Sequence, residues 1–198
     1  MIAIVDYGAG NLRSIQRAIQ AAGAETQITS DPEDVTRADR VVLPGVGNAS
    51  AAMTRLKESG LAEAVTAVAD QGKPVLGVCL GMQLLFEDQQ EGPTTGLGLL
   101  TGNVRSLPPT VKVPQMGWNI ATFRDDSPLS SLPSTYYYFV HSYIVYPADP
   151  AHILAETEYG VRFPSIVSRD NVWGFQFHPE KSGEEGLRLI NLWVEWKQ

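Results

Sequence analysis

Three short apolar runs, each ended by a glycine-bearing turn and followed by residues at helical spacing, leave this chain few architectures. They are Met1–Val5, Arg40–Pro44 and Pro74–Val78. An unbroken apolar run of this length reads as a strand buried on both faces, the mark of a parallel sheet. After the first come Gly8, Gly10 and Asn11, then Leu12, Ile15, Ala18, Ile19 and Ala22 on one helical stripe, with Gly23 as the stop. After the second comes Gly45-Val46-Gly47-Asn48, then two helical patterns, Ala49, Ala52, Met53, Leu56 and Leu61, Ala64, Val65, Val68. Strands separated by helices predict an α/β fold, with an open, mostly parallel central sheet carrying helices on both faces.

From Gly98 onward the pattern changes to short β-type runs: Leu99–Arg105, Trp118–Phe123, Tyr136–Tyr146, Ile153–Thr157 and Val172–Phe177. Pro, Gly, Asp and Asn bound most of them, which predicts hairpins and a smaller antiparallel sheet. Leu187, Ile190, Trp193 and Val194 form one stripe, predicting a packed C-terminal helix over Gly183–Trp196. Without an internal repeat or long linker, residues 1–198 are expected to form a single domain. A net charge of −7 without a Lys/Arg cluster argues against nucleic acid or an anionic membrane as partner. No apolar run reaches the roughly 18 residues of a membrane span. The first residues carry no basic segment ahead of an apolar one, so a cytoplasmic location is expected.

The third run holds the chemistry. Gly77-Val-Cys79-Leu-Gly81 contains the only cysteine of the chain and matches a nucleophile elbow with sulfur in place of oxygen. Glycine on both sides lets the chain turn sharply from strand to helix, so the thiol projects at a helix start. Unpaired N–H groups and the positive helix end there favour negative charge on sulfur. His178 follows Gly174-Phe-Gln-Phe177, at the end of another buried strand, where Pro179 blocks further ladder pairing. In an extended segment Glu180 would point the same way as His178 and orient its imidazole. His152, within a turn composition, is expected to face solvent. Both Cys79 and His178 occupy strand ends, where open parallel sheets place their sites. Taken singly, Cys79 reads equally as an inert core residue, His178 as a satisfied strand-end histidine and Glu180 as a surface acid. Their joint occurrence favours nucleophile, base and acid. Pro44-Gly45-Val46-Gly47 ends a neighbouring strand; its loop amides at Val46 and Gly47, with that of Leu80, are candidate oxyanion donors, or the loop is a plain tight turn. Gly8-Ala-Gly10-Asn-Leu-Arg13 lacks the third glycine of a dinucleotide fingerprint. No phosphate loop exists, and three scattered histidines give no metal-ligand spacing. No metal or cofactor is expected.

Gly77-Val-Cys-Leu-Gly-Met-Gln-Leu-Leu85, Pro44-Gly-Val-Gly47 and Gly174-Phe-Gln-Phe-His-Pro-Glu180 resemble, in order, the three signature regions of the triad, or class I, glutamine amidotransferases. The finer pattern is similar to the glutaminase subunits of imidazole glycerol phosphate synthases. It lies in Val5-Asp-Tyr-Gly-Ala-Gly-Asn11, Val113-Pro-Gln-Met-Gly-Trp-Asn119, Tyr137-Tyr-Phe-Val-His-Ser-Tyr143 and His178-Pro-Glu-Lys-Ser182. The resemblance covers essentially the whole chain and implies a flavodoxin-like sheet. It implies that Cys79 attacks the side-chain amide of glutamine, that His178 acts as base and then acid, and that Glu180 orients His178. It further implies a glutamine pocket at Gly45, Gln83, Glu91 and the backbone of His141, Ser142 and Tyr143. The partner it implies is a (β/α)8-barrel cyclase, forming a heterodimer that makes imidazole glycerol phosphate and AICAR for histidine biosynthesis. Asn11, Met116, Trp118, Tyr136, Tyr138 and Lys181 are the candidate interface residues, core packing being the other reading of the tyrosines. Gln115 stands where this subfamily often carries His, with any consequence expected at the interface. A glutaminase feeding an aminodeoxychorismate, anthranilate or pyridoxal phosphate synthase, an idle glutamine-binding module and a general cysteine hydrolase are the alternatives.

Overall fold

The computed structural model describes residues 1–92 and 94–196; the last two residues of the expected 1–198 domain lie outside them. The runs read as buried strands form β1 (Ile2–Val5), β3 (Arg40–Gly45) and β4 (Val75–Cys79), joined by β2 (Thr26–Thr29) and β12 (Val172–Phe175) in one parallel array. The full sheet has nine strands in the order β2-β1-β3-β4-β12-β11-β10-β7-β8. Here β11 is Arg162–Arg169, β10 Ile153–Glu158, β7 Gln115–Phe123 and β8 Thr135–His141.

Alternation along each parallel strand feeds two cores, because successive side chains point to opposite faces. Ile2 and Ile4 join Ile15, Ile19, Leu189, Ile190 and Trp193 under helices α1 (Leu12–Ala21) and α6 (Gly183–Glu195). Ala3 and Val5 face the other way, toward α2 (Pro32–Arg37), α3 (Ala49–Glu58), α4 (Leu61–Asp70) and α5 (Leu80–Leu84). Fully burying each of the Val, Leu and Ile side chains contributes about 1.5–3 kcal/mol, so helices cover both faces, as expected.

The second half differs from its reading in detail. The antiparallel strands β11, β10, β7 and β8 continue the central sheet instead of forming a separate one. The smaller sheet has β5 (Phe86–Gln89), β6 (Leu100–Ser106) and β9 (Tyr143–Pro147), and it is mixed: β5 pairs with β6 in parallel, β9 antiparallel. The run expected from Tyr136 to Tyr146 breaks at Ser142, where the chain leaves the large sheet and enters the small one. The helix expected after Cys79 is only five residues long, because Phe86 already pairs with Leu100. Among the described residues no helix is long and apolar enough to cross a membrane.

Candidate active site

The elbow depends on close approach more than on glycine flexibility. A Cβ on Gly77 would lie 2.6 Å from the Gly81 carbonyl oxygen, and one on Gly81 would lie 1.8 Å from that of Leu43. Both glycines let α5 start against its own strand and the neighbouring β3. Between them Cys79 takes φ 55° and ψ −112°, a conformation L residues rarely adopt. Strain of this kind, about 1–3 kcal/mol, clusters at functional sites. The thiol is nearly buried and donates to the Val140 carbonyl at 3.6 Å. With α5 so short, its dipole contributes less at the sulfur than a full helix would, and the neighbouring imidazole has more weight.

His178 leaves the end of β12 into a turn of 3₁₀ helix over Pro179–Lys181. Its Nδ1 lies 2.9 Å from Glu180 Oε1, and both side chains are 3 % exposed. The predicted contact is present, but the extended geometry invoked for it is not. The turn, started by proline, folds Glu180 back beneath the ring. Burial alone would lower the His178 pKa. The neighbouring Cys79 and Glu180, the latter hydrogen-bonded at Nδ1, outweigh burial and raise it to about 9. Nε2 of His178 and Oε2 of Glu180 are buried without hydrogen-bond partners of standard geometry.

The loop after β3 carries Val46, 45 % exposed, and Gly47 at φ 102°. Both its ends are tied. Tyr7 donates its hydroxyl to the Pro44 carbonyl at 3.0 Å, and a Cβ on Gly45 would fall 2.4 Å from that hydroxyl. At the far end Asn48 caps α3 through Ala51 N–H, and Glu91 Oε2 accepts the Ala49 N–H at 2.7 Å.

Val46, Gly47, Cys79, Leu80, Gln83, Glu91 and His141–Tyr143 surround one cavity of about 280 Å³, together with Pro114 and Val140. Every residue named for the glutamine pocket lines it except Gly45, which is buried against the Tyr7 hydroxyl. Pro114 and Val140 were not anticipated; both flank motifs read from the sequence. Gln83 Nε2 donates to the Tyr143 carbonyl at 3.0 Å and to Gln176 Oε1 at 3.2 Å, while Gln89 Nε2 donates to the Gln83 carbonyl at 2.7 Å. Gln176 and Gln89 also escaped the sequence reading. For Gln176 the available signal was a glutamine inside an otherwise apolar run, where buried amides require partners; Gln89, in Phe86-Glu-Asp-Gln89, carried none.

His141 lines the cavity, yet the residue is only 5 % exposed and its ring packs on Phe139 and Phe163. Burial lowers its pKa to about 4, against the opposing hydrogen bond to Tyr143. The neutral ring donates from Nδ1 to the Tyr143 carbonyl, 2.9 Å away, leaving Nε2 as acceptor. Gln115 Oε1 lies 3.1 Å from Nε2; an acceptor Nε2 is satisfied once that amide is flipped to present its NH₂. Gln115 is 3 % exposed and lies against His141 beneath the pocket. His152, expected to face solvent, is half-buried with Nδ1 inside and unpartnered.

Of the interface candidates, Met116, Trp118 and Tyr136 are more than half exposed. Asn11 and Lys181 are exposed and Tyr138 is half-buried. Alternation on β8 turns Tyr137 and Phe139 into the core and leaves Tyr136 and Tyr138 outside, beside Trp118. Ile120, unanticipated, extends this apolar face. Among the described residues no cluster of three or more His, Cys, Asp or Glu could hold a metal ion.

The family model "Glutamine amidotransferase class-I" matches residues 3–194. Imidazole glycerol phosphate synthase subunit HisH of Lactiplantibacillus plantarum is 52 % identical over 98 % of this chain and 95 % of its own. The protein of the same name from Halobacterium salinarum is 45 % identical over 98 % and 93 %. Among solved structures, a glutamine amidotransferase superposes with a TM-score of 0.78 at 19 % identity, covering 97 % of both chains. PurLQS from Thermotoga maritima gives 0.74 at 19 % identity, over 98 % and 96 %. The chain belongs to the class I glutamine amidotransferase family.

Proposed function

We propose that this chain is the glutaminase subunit of an imidazole glycerol phosphate synthase, acting as one domain over residues 1–198. It hydrolyses glutamine and passes ammonia to a cyclase that makes imidazole glycerol phosphate and AICAR in histidine biosynthesis. The names and near-complete coverage of its relatives support the pathway. The observation that carries the chemistry is a single cavity bounded by both Cys79 and Glu91. It presents a nucleophile for the side-chain amide of glutamine and a carboxylate for its α-ammonium.

In this reading the Cys79 thiol passes its proton to His178, and the thiolate attacks the amide carbon of glutamine. With a pKa of about 9, His178 keeps that proton at neutral pH. It gives that proton to the leaving nitrogen, so ammonia departs and a γ-glutamyl thioester remains. Neutral His178 then takes a proton from water, hydroxide adds to the thioester, and the sulfur leaves with glutamate formed. Glu180 holds the ring through Nδ1. Amides of Val46 or Gly47 and Leu80 would receive the oxyanion; one such donor contributes about 3–4 kcal/mol to the transition state. Gln83, Glu91 and the backbone of His141, Ser142 and Tyr143 would hold the amino-acid end.

Ammonia released into water would be protonated and lost as a nucleophile, so a sealed path to the synthase is required. The partner proposed is a (β/α)8-barrel cyclase forming a heterodimer over Asn11, Met116, Trp118, Tyr136, Tyr138 and Lys181. The exposed aromatic face of the β7–β8 hairpin supports this choice. The test is glutamate release by wild type and Cys79→Ala, each mixed with the cyclase and its acceptor. Turnover in wild type alone is expected. Equal turnover in the variant, or copurification with a chorismate-binding protein in place of a barrel, would refute the reading.

A further inference from the structure

The catalytic histidine is held from behind by a hydroxyl, that of Ser182. His178 donates its N–H to the Tyr138 carbonyl at 2.9 Å. In a hydrogen-bonded antiparallel pair the second residue would return the bond directly, its N–H to the carbonyl of the first. Here the return bond is split. Tyr138 N–H donates to Ser182 Oγ at 3.0 Å, and that hydroxyl donates onward to the His178 carbonyl at 2.6 Å. A side chain therefore sits where a strand-to-strand hydrogen bond would otherwise close. Both directions of the hydroxyl are used, and the residue is 3 % exposed.

The rest of the local structure fixes this serine. Its N–H donates to the Pro179 carbonyl at 3.1 Å, and its carbonyl accepts from Gly186 at 3.3 Å. A Cβ on Gly186 would lie 2.0 Å from the Pro179 oxygen and 2.8 Å from Ser182 Cβ. The first turn of α6 thus packs directly on the turn that carries Glu180. The hydroxyl has one place to be.

We infer that Ser182 is a positioning residue for glutamine hydrolysis. Its hydroxyl sets the separation between the His178 and Tyr138 backbones, and with it the placement of the imidazole toward Cys79 and Glu180. This rests on the proposed glutaminase reaction. Ser182 does not line the glutamine cavity, so its loss should alter the chemical step and leave substrate binding alone.

The experiment measures steady-state glutamate release by Ser182→Ala in complex with the cyclase and its acceptor, with folding checked by thermal unfolding. Displacing a catalytic group by up to an ångström lowers rate by roughly a hundredfold, so kcat is expected to fall ten- to a hundredfold, with KM for glutamine within about twofold of wild type. If the alanine variant does not fold, Ser182→Cys replaces it, keeping the volume with a weak donor; the same split is expected. A folded variant with wild-type kcat overturns the inference, as does a rise in KM that accounts for the whole loss. A wild-type complex releasing no glutamate overturns the proposed function and this inference together. An active wild type matched by its variants overturns the role of Ser182 alone.

Discussion

His141 makes a pH-dependent contribution to stability whose sign and window follow from its surroundings. In the unfolded chain its imidazole titrates near the ordinary 6.5, and in the folded chain burial holds it at about 4. Between these values the unfolded chain binds a proton that the folded chain refuses, so stability falls as pH drops through the interval and levels off below it. At about 1.4 kcal/mol per pH unit, the gap amounts to about 3 kcal/mol. Other groups act elsewhere. His178, raised to about 9, contributes stability fully present below 6.5 and lost as pH climbs toward 9. Asp34, Asp39 and Asp126 are lowered from 3.8 by their partners, so theirs is lost only in stronger acid.

Urea unfolding of wild type and His141→Gln between pH 7 and 4.5 isolates the effect. Glutamine keeps a donor for the Tyr143 carbonyl and does not titrate. The variant is expected to be less stable at pH 7, because it leaves space against Phe139 and Phe163, yet flatter with pH. The difference between the two should close by about 2–3 kcal/mol at the acid end. Parallel curves would refute the reasoning, since they would mean that the buried ring takes up its proton without penalty. Tyr143 links the effect to activity, because its carbonyl accepts from both His141 and Gln83.

Gly81→Ala places a methyl group 1.8 Å from the Leu43 carbonyl; an overpacking loss of about 3 kcal/mol should appear as a lower urea midpoint with unchanged slope. Glu91→Gln should raise KM for glutamine roughly ten- to a hundredfold by removing a charged hydrogen bond, with initial-rate kinetics in the complex as the check. Trp118→Ala, on the exposed hairpin face, should weaken cyclase binding by about 2–4 kcal/mol by calorimetric titration, with folding unaffected.

How much of this was legible in the sequence depends on whether the signal was local. Apolar runs, helical stripes and the paired glycines of the elbow act over a few residues, and the strands and helices they predicted are present. β11 was missed because Pro164 interrupts an otherwise strand-like run, although there it pairs opposite Glu156. β2 and β5 are four-residue strands of mixed polarity with no pattern of their own; their neighbours in the sheet select them. Gln83 was legible by resemblance, whereas its bond to Gln176, 93 residues away, forms because β12, which ends at Phe175, lies beside α5.

Glu180 shows the difference between a contact and its cause. Alternation along an extended segment would bring it beneath His178, and so does a turn of 3₁₀ helix, but the two have different consequences. An extended segment would leave Ser182 free to continue a strand. The turn instead reverses the chain after Pro179 and brings the Ser182 hydroxyl back to the His178 carbonyl. The proline that ends ladder pairing therefore also supplies its replacement. The cavity arises in the same way, from chain interruptions: β3 ends at Gly45, β4 at Cys79, and β8 gives way to β9 at Ser142. Each interruption releases backbone groups and a side chain from a sheet at one place. Val46, Gly47 and Ser142, which lie outside the strands, line the cavity beside Cys79.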